Sequence, residues 1–463
     1  MNTTRNATNN LINLDIISIM TLLLSLFLLS TIALGGSLAP VILHIFMIVI
    51  GVILITLFSN KNEIIFKMKL FVFFFSLYLV YSLINYYILL RFFPDMPPTV
   101  FHDETVFYNF SNLALPYISG EKNFFELFTF ASYPLHEQPL HAMFSALIAS
   151  FSIAIDGNNT IIVQKLLSPF FGGMFSVVLY STLKYQFTDR AFVLNATFAY
   201  SLLSAVFMYS TPLLRDIDVA LAYIVFIYIF LQPNSYKNII LLFIVAFLTV
   251  YLRTESGLVL FGLILLYGHL YVRTLESRSL KLIFYILLIG LFSFIIILMS
   301  QKIIGMIVSL TEGNTTRAIA RSSADSISLI FNKLPFPFSY IAKVLFGQMQ
   351  PFPFFIAMDR LPEAISGIFW PFIFIAMLYA VMKKNIRVLI DIKVKYLLIV
   401  AIAILFLMSS EPMARRMMSV YPIIYITSLY VFFIVPNNEI KRALSYYIFG
   451  IISLNTFYYL IKL

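Results

Sequence analysis

The chain has no cysteine, one tryptophan, five histidines and few charges: Asp, Glu, Lys and Arg make up 11% of its 463 residues. Without cysteine there is no disulfide, no thiolate metal ligand and no cysteine nucleophile. So few charges cannot clothe a soluble globule in polar surface, and 61% of the chain is hydrophobic and 17% aromatic. This predicts an all-α, polytopic integral membrane protein. Tandem repeats, flexible linkers and soluble domains are also missing. The only compositional bias is the Asn/Thr-rich start, residues 1–10, expected to be disordered. One basic residue, Arg5, precedes the first apolar run, Leu14 to Leu34, which is too long for a signal-peptide core and is expected to be a retained helix.

The charge that is present is unbalanced, at a formal +10. In a soluble protein this would suggest nucleic acid. Here the basic residues fall in short joints between apolar runs, so they predict orientation and no nucleic-acid partner. At about 20 residues per span, the runs give about thirteen transmembrane helices. Every second joint is short and basic: Lys61, Lys67 and Lys69; Lys184 and Arg190; Lys237; Arg273, Arg278 and Lys281; Lys383 to Lys395; Lys441 and Arg442. These mark the cytoplasmic side. The other side carries two long loops, 94–160 and 302–365, and shorter joints around Arg215, Arg253 and Glu411. The apolar run 139–155 is expected to be an interfacial helix, because counting it as a span would put Asp103 and Asp216 on opposite faces. Interfacial helices are expected in both long loops.

The candidates for chemistry are the polar residues of the outer side. Acids just beyond apolar helices are costly unless they serve a purpose. His102, Asp103 and Glu104 form one group, with the alternative that Asp103 only caps a helix starting at Glu104. Arg215, Asp216 and Asp218 form a second, with a local ion pair as the alternative. Arg253 (near Glu255) and the adjacent Arg415 and Arg416 sit at outer helix mouths; structural ion pairs are again the alternative. His136 and His141 flank Glu137 and could line the site. A divalent ion, Mg²⁺, Mn²⁺ or Zn²⁺, could sit between Asp103, Asp216 or Asp218 and a histidine, although no spacing selects a metal.

The order of these features resembles a known family. An apolar helix leads into Phe101-His-Asp-Glu-Thr-Val-Phe-Tyr108, then Tyr133-Pro-Leu-His-Glu-Gln-Pro-Leu140 enters the interfacial helix that ends at Asp156-Gly157. A helix from Val163, a basic turn, a helix ending near Pro212 and the acids Asp216 and Asp218 follow. This layout is similar to the GT-C glycosyltransferases, notably the protein O-mannosyltransferases and the lipid A aminoarabinose transferases. The resemblance covers roughly residues 70–268. It implies a catalytic base at Asp103, with Glu104 beside it, and an acceptor or metal acid at Asp216 or Asp218. Two extra helices precede the motif helix, and no family motif matches the C-terminal half. The implied parts are an N-terminal two-helix extension (1–69), a catalytic transmembrane module (70–272) and C-terminal helices (273–463) carrying the 302–365 loop.

The chemistry implied is sugar transfer from a polyprenyl-phosphate-linked sugar or oligosaccharide in cell-surface glycan (lipopolysaccharide or polysaccharide) synthesis. It would take place at the outer, periplasmic face of a bacterial inner membrane. Such a reaction needs a base for the acceptor hydroxyl, arginines for the leaving phosphate and a path for the lipid tail. An O-antigen-type repeat-unit polymerase would show the same features. A lipid-linked sugar flippase is the non-enzyme alternative; it would be expected to carry internal repeats and mid-membrane charges.

Overall fold

The computed structural model describes residues 14–92, 99–129, 132, 134–135, 138–298, 300, 334–335, 338–347, 349, 361–407 and 417–462. Among them the chain is helical throughout, with no strand. Among the described residues, seven helices are long and apolar enough to cross a membrane by length and composition. The chain is a membrane protein on that ground; the count of about thirteen spans expected from the sequence is not confirmed. Part of the difference lies in breaks: the run expected as one helix over 191–210 is split into α8 (Arg190–Leu203) and α9 (Ala205–Tyr209).

The chain divides into two compact units, one formed by Met1–Phe198 with Phe207–Leu221, the other by Ala199–Val206 with Ala222–Leu463. Compactness thus cuts the chain differently from the motif-based boundaries at 69 and 272. In the first unit, α1 (Leu14–Leu34) and α2 (Ala39–Phe58) pack on α3 (Ile64–Phe92), which in turn packs on α7 (Leu167–Gln186), the helix that follows the short α6 (Ile161–Gln164). The seam is phenylalanine-rich: Phe71, Phe74 and Phe75 are fully buried, and the Phe170 ring meets Phe71 edge-on at 5.8 Å. Close approach of α7 requires Gly172, where a Cβ would stand 2.3 Å from Ser210 Oγ.

One end of this unit is fixed by charge. Glu63 pairs with Lys184 and, at 3.3 Å, with Lys67, and the Arg190 guanidinium lies 4.4 Å from the centre of the Phe66 ring. This is the basic joint that the sequence assigns to the cytoplasm. At 1.5 Å per helical residue, Ser82 on α3 is about 27 Å from it, the start of α2 about 29 Å and the start of α7 about 26 Å. These points define the opposite end.

At that opposite end lie α4 (His102–Ser119) and α5 (Pro139–Asp156), packed on each other through Ala114, Tyr117, Ala142 and Ala146. Both ends of α5 are tied there. At its C-terminus, Asp156 accepts hydrogen bonds from Ser37 Oγ (2.6 Å) and from the backbone N–H groups of Leu38 and Ala39, capping the first turn of α2. Near its N-terminus, His141 bonds Asp218 in the first turn of α10 (Asp216–Leu231). The chain just before α10 is held at the same depth by the bond from Ser82 Oγ to Thr211 O. A helix about 27 Å long with both ends at one end of the bundle lies across it. Length and composition alone would allow α5 to span.

In the second unit, α11 (Tyr236–Leu252) and α12 (Thr254–Thr274) form a tight hairpin through Arg253, and a Cβ on Gly257 would approach Val250 N to 2.5 Å. α13 (Arg278–Leu298), α14 (Phe338–Gly347), α15 (Leu361–Met382), α16 (Lys384–Leu389), α17 (Ile392–Leu407), α18 (Tyr421–Ile434) and α19 (Asn437–Lys462) complete the order. The core between α15 and α18 is aromatic, with Trp370 stacked 3.8 Å from Tyr421.

Candidate functional site

The sequence places a histidine and two acids at the mouth of α4, and the fold gives them different tasks. α4 begins at His102, two residues earlier than a cap at Asp103 would require. The capping work falls to Glu104, whose Oε1 accepts from the N–H groups of Phe101 (3.0 Å) and Val100 (2.6 Å). Its Oε2 accepts from Leu213 N (3.2 Å) and pairs with Lys165 Nζ at 2.8 Å. Glu104 and Lys165 are both buried, at 0% and 1% side-chain exposure. A carboxylate offers about four lone-pair positions, and here four donors fill them. Glu104 is therefore committed to holding together the strand of loop before α4, the entry to α7 and the loop before α10. Asp103, the second residue of α4, is only partly buried and stands in the positive field of the helix start.

The second buried pair is His141 with Asp218, Nδ1 to Oδ2 at 2.6 Å, with 1% and 2% of the side chains exposed. The Phe107 ring closes over the imidazole edge-on at 4.9 Å. His141 Nε2 and Asp218 Oδ1 have no hydrogen-bond partner. Nδ1 and Nε2 point to opposite sides of the ring, so a cation on Nε2 could not also be held by the Asp218 carboxylate that engages Nδ1. Among the described residues, no group of three or more His, Asp or Glu side chains is arranged to hold a metal ion. Asp216, two residues before Asp218, is buried, and Arg215 is partly buried just ahead of it.

No family model, curated protein or solved structure matches this chain.

The first unit thus brings Asp103, Glu104, Arg215, Asp216 and Asp218 to one end of its bundle, along with two residues that sequence reasoning passed over or ranked low. Lys165 was missed, although a lone lysine in the apolar run Ile161-Ile-Val-Gln-Lys-Leu-Leu167 is a usable signal, since such a charge needs a buried partner. In sequence His141 reads only as a possible lining residue, because nothing local links it to Asp218, 77 positions away. Arg253 belongs to the second unit, where it sits between α11 and α12 with Nε 3.6 Å from Glu255 Oε1, beyond hydrogen-bond length. In the same unit the Tyr223 hydroxyl donates to Ser256 O at 3.0 Å. His102 opens α4, but its side chain, like Arg415, Arg416, His136, Glu137 and most of the 302–365 loop, lies outside the described residues.

Proposed function

We propose that the protein is a membrane glycosyltransferase that moves a sugar from a polyprenyl-phosphate carrier to an acceptor hydroxyl, at the end of the first unit opposite its basic joint. The observation that carries this reading is the Glu104–Lys165 pair. It ties three loop segments into one rigid frame and leaves Asp103, partly exposed, at the frame's edge. In this reading Asp103 takes the proton of the acceptor hydroxyl as its oxygen bonds the anomeric carbon, while the bond from that carbon to the phosphate oxygen breaks and polyprenyl phosphate departs. Glu104 and Lys165 are positioning residues. Arg215 stands at the same end as Asp103, and its planar fork suits the leaving phosphate. Arg253, Arg415 and Arg416 retain that role as expectations. In this reading the basic joint faces the cytoplasm, which supports a reacting end outside it, in the periplasm if the membrane is a bacterial inner membrane.

The test is Asp103→Asn. Because Glu104 supplies the cap and Asn is nearly isosteric with Asp, this change removes the proton acceptor and keeps the cap. The protein should reach its normal amount in the membrane, while cell-surface glycan falls by about 10²- to 10⁴-fold, the usual contribution of general-base catalysis. Normal glycan from an abundant Asp103→Asn protein would remove Asp103 from the chemistry. The lipid-linked intermediate that accumulates without the protein separates transferase from polymerase: an undecorated glycan with excess polyprenyl-phosphate sugar supports transfer, a complete repeat unit supports polymerisation.

A further inference from the structure

The His141–Asp218 pair is more than a packing contact, because both of its members and two residues close to His141 in sequence keep buried polar atoms without partners. Gln138, the N-cap residue just before α5, and His141 and Ser145 in its first two turns fall three and then four residues apart, which lines them along one side of the helix start. All three are buried, and Gln138 Oε1, His141 Nε2 and Ser145 Oγ each lack a hydrogen-bond partner. Buried polar atoms in native proteins are nearly always satisfied, so three on one stripe indicate a place built for a polar guest.

The chemistry of the stripe selects the guest. With Asp218 ionised and accepting from Nδ1–H, a neutral imidazole carries its lone pair on Nε2. Gln138 Oε1 is an acceptor, and the Ser145 hydroxyl can be either donor or acceptor. An acceptor-rich stripe binds donors and is mismatched to phosphate or carboxylate oxygens. We propose that this stripe receives a hydroxyl group of the carbohydrate substrate, with His141 Nε2 as the contacting atom and Asp218 as the positioning residue that fixes its tautomer. This rests on the glycosyltransferase reading and narrows it: the acid at 218 acts through His141, and the phosphate binds elsewhere.

Two substitutions separate the roles. In His141→Asn the amide can still reach Asp218 in place of Nδ1, but the Nε2 position is lost; in His141→Gln the amide stands in for Nε2. If the pair only braces the fold, His141→Asn should retain full glycan output. If Nε2 meets substrate, His141→Asn should accumulate normally and lose about tenfold or more in product, the scale of one hydrogen bond to a buried group, while His141→Gln should keep more. Asp218→Asn combined with His141→Asn should then be no worse than His141→Asn alone, because both break one unit. Normal glycan in His141→Asn, or multiplying losses in the double variant, would overturn the proposal. Asp103→Asn, measured in the same cells, keeps the outcomes apart: if it abolishes glycan while His141→Asn is normal, only the His141 assignment falls. If glycan is unchanged when the whole protein is deleted, the glycosyltransferase reading falls.

Discussion

Replacing Lys165 by Met removes a charge from the least exposed ion pair in the first unit and keeps nearly the same side-chain length. At 2.8 Å and an effective dielectric of about 20, the gross attraction is about 6 kcal/mol. Desolvation of two buried ions offsets much of it, several kcal/mol per ion. The net value of the pair is therefore small, but the cost of breaking it from one side is not. Glu104 would stay buried with only the N–H groups of Val100, Phe101 and Leu213 to satisfy it. The expected loss is about 3–5 kcal/mol. Adding Glu104→Gln removes the second charge and keeps an acceptor for Val100 and Phe101, so the double variant should recover about 2 kcal/mol or more. A protein with two compact units need not unfold in one step, so the assay should be local. Amide hydrogen exchange at residues 100, 101 and 213 reports opening of this junction. At tenfold per 1.4 kcal/mol, exchange should accelerate by about 10²- to 10⁴-fold in Lys165→Met and partly recover in the double variant. Unchanged exchange in Lys165→Met, or a double variant as impaired as the sum of the single ones, would refute the view that this pair locks the three loops.

Other outcomes follow from the same contacts. Gly172→Ala would drive a Cβ to 2.3 Å from Ser210 Oγ and 2.9 Å from Tyr78 Cδ2; it should cost about 1–3 kcal/mol by thermal denaturation in detergent, and Ser210→Gly should restore part of it. Asp156→Ala removes the cap of α2 and should cost about 0.5–2 kcal/mol, with faster hydrogen exchange confined to residues 37–43. A chain without cysteine gives a clean background for labelling: single cysteines at Lys122 and Asn158 should both react with an impermeant thiol reagent from outside, and one at Asn60 should not. Labelling of Lys122 and Asn158 from opposite sides would mean that α5 spans the membrane.

Much of this protein is legible in one dimension. Composition alone makes it a membrane protein, because apolar side chains in such number can be accommodated only in lipid. The long helices follow from apolar runs whose backbone must satisfy its own hydrogen bonds there. The basic joint at Lys61 to Lys69 and Lys184 to Arg190 was readable for the same reason, and the structure gathers both parts at one end through Glu63. The acids at 103, 104, 216 and 218 could be picked out because charge beside an apolar span is rare.

What each acid does could not be read, because that depends on which donors the fold brings to it. Glu104 looks like a twin of Asp103 in sequence and becomes a fully bonded lock only when Lys165 and Leu213 N arrive from 61 and 109 positions away. Asp218 differs from Asp216 only when α5 carries His141 to it. Whether an apolar run of 18 residues crosses a bilayer or lies across the end of a bundle is likewise not set by its hydrophobicity. For α5 the contacts at its two ends, made by Asp156 and His141, hold both ends at one end of the bundle. Burial and helix formation are local consequences of side-chain chemistry and can be read in order along the chain; pairing of buried charges is a matter of three-dimensional proximity, which only the packed structure decides.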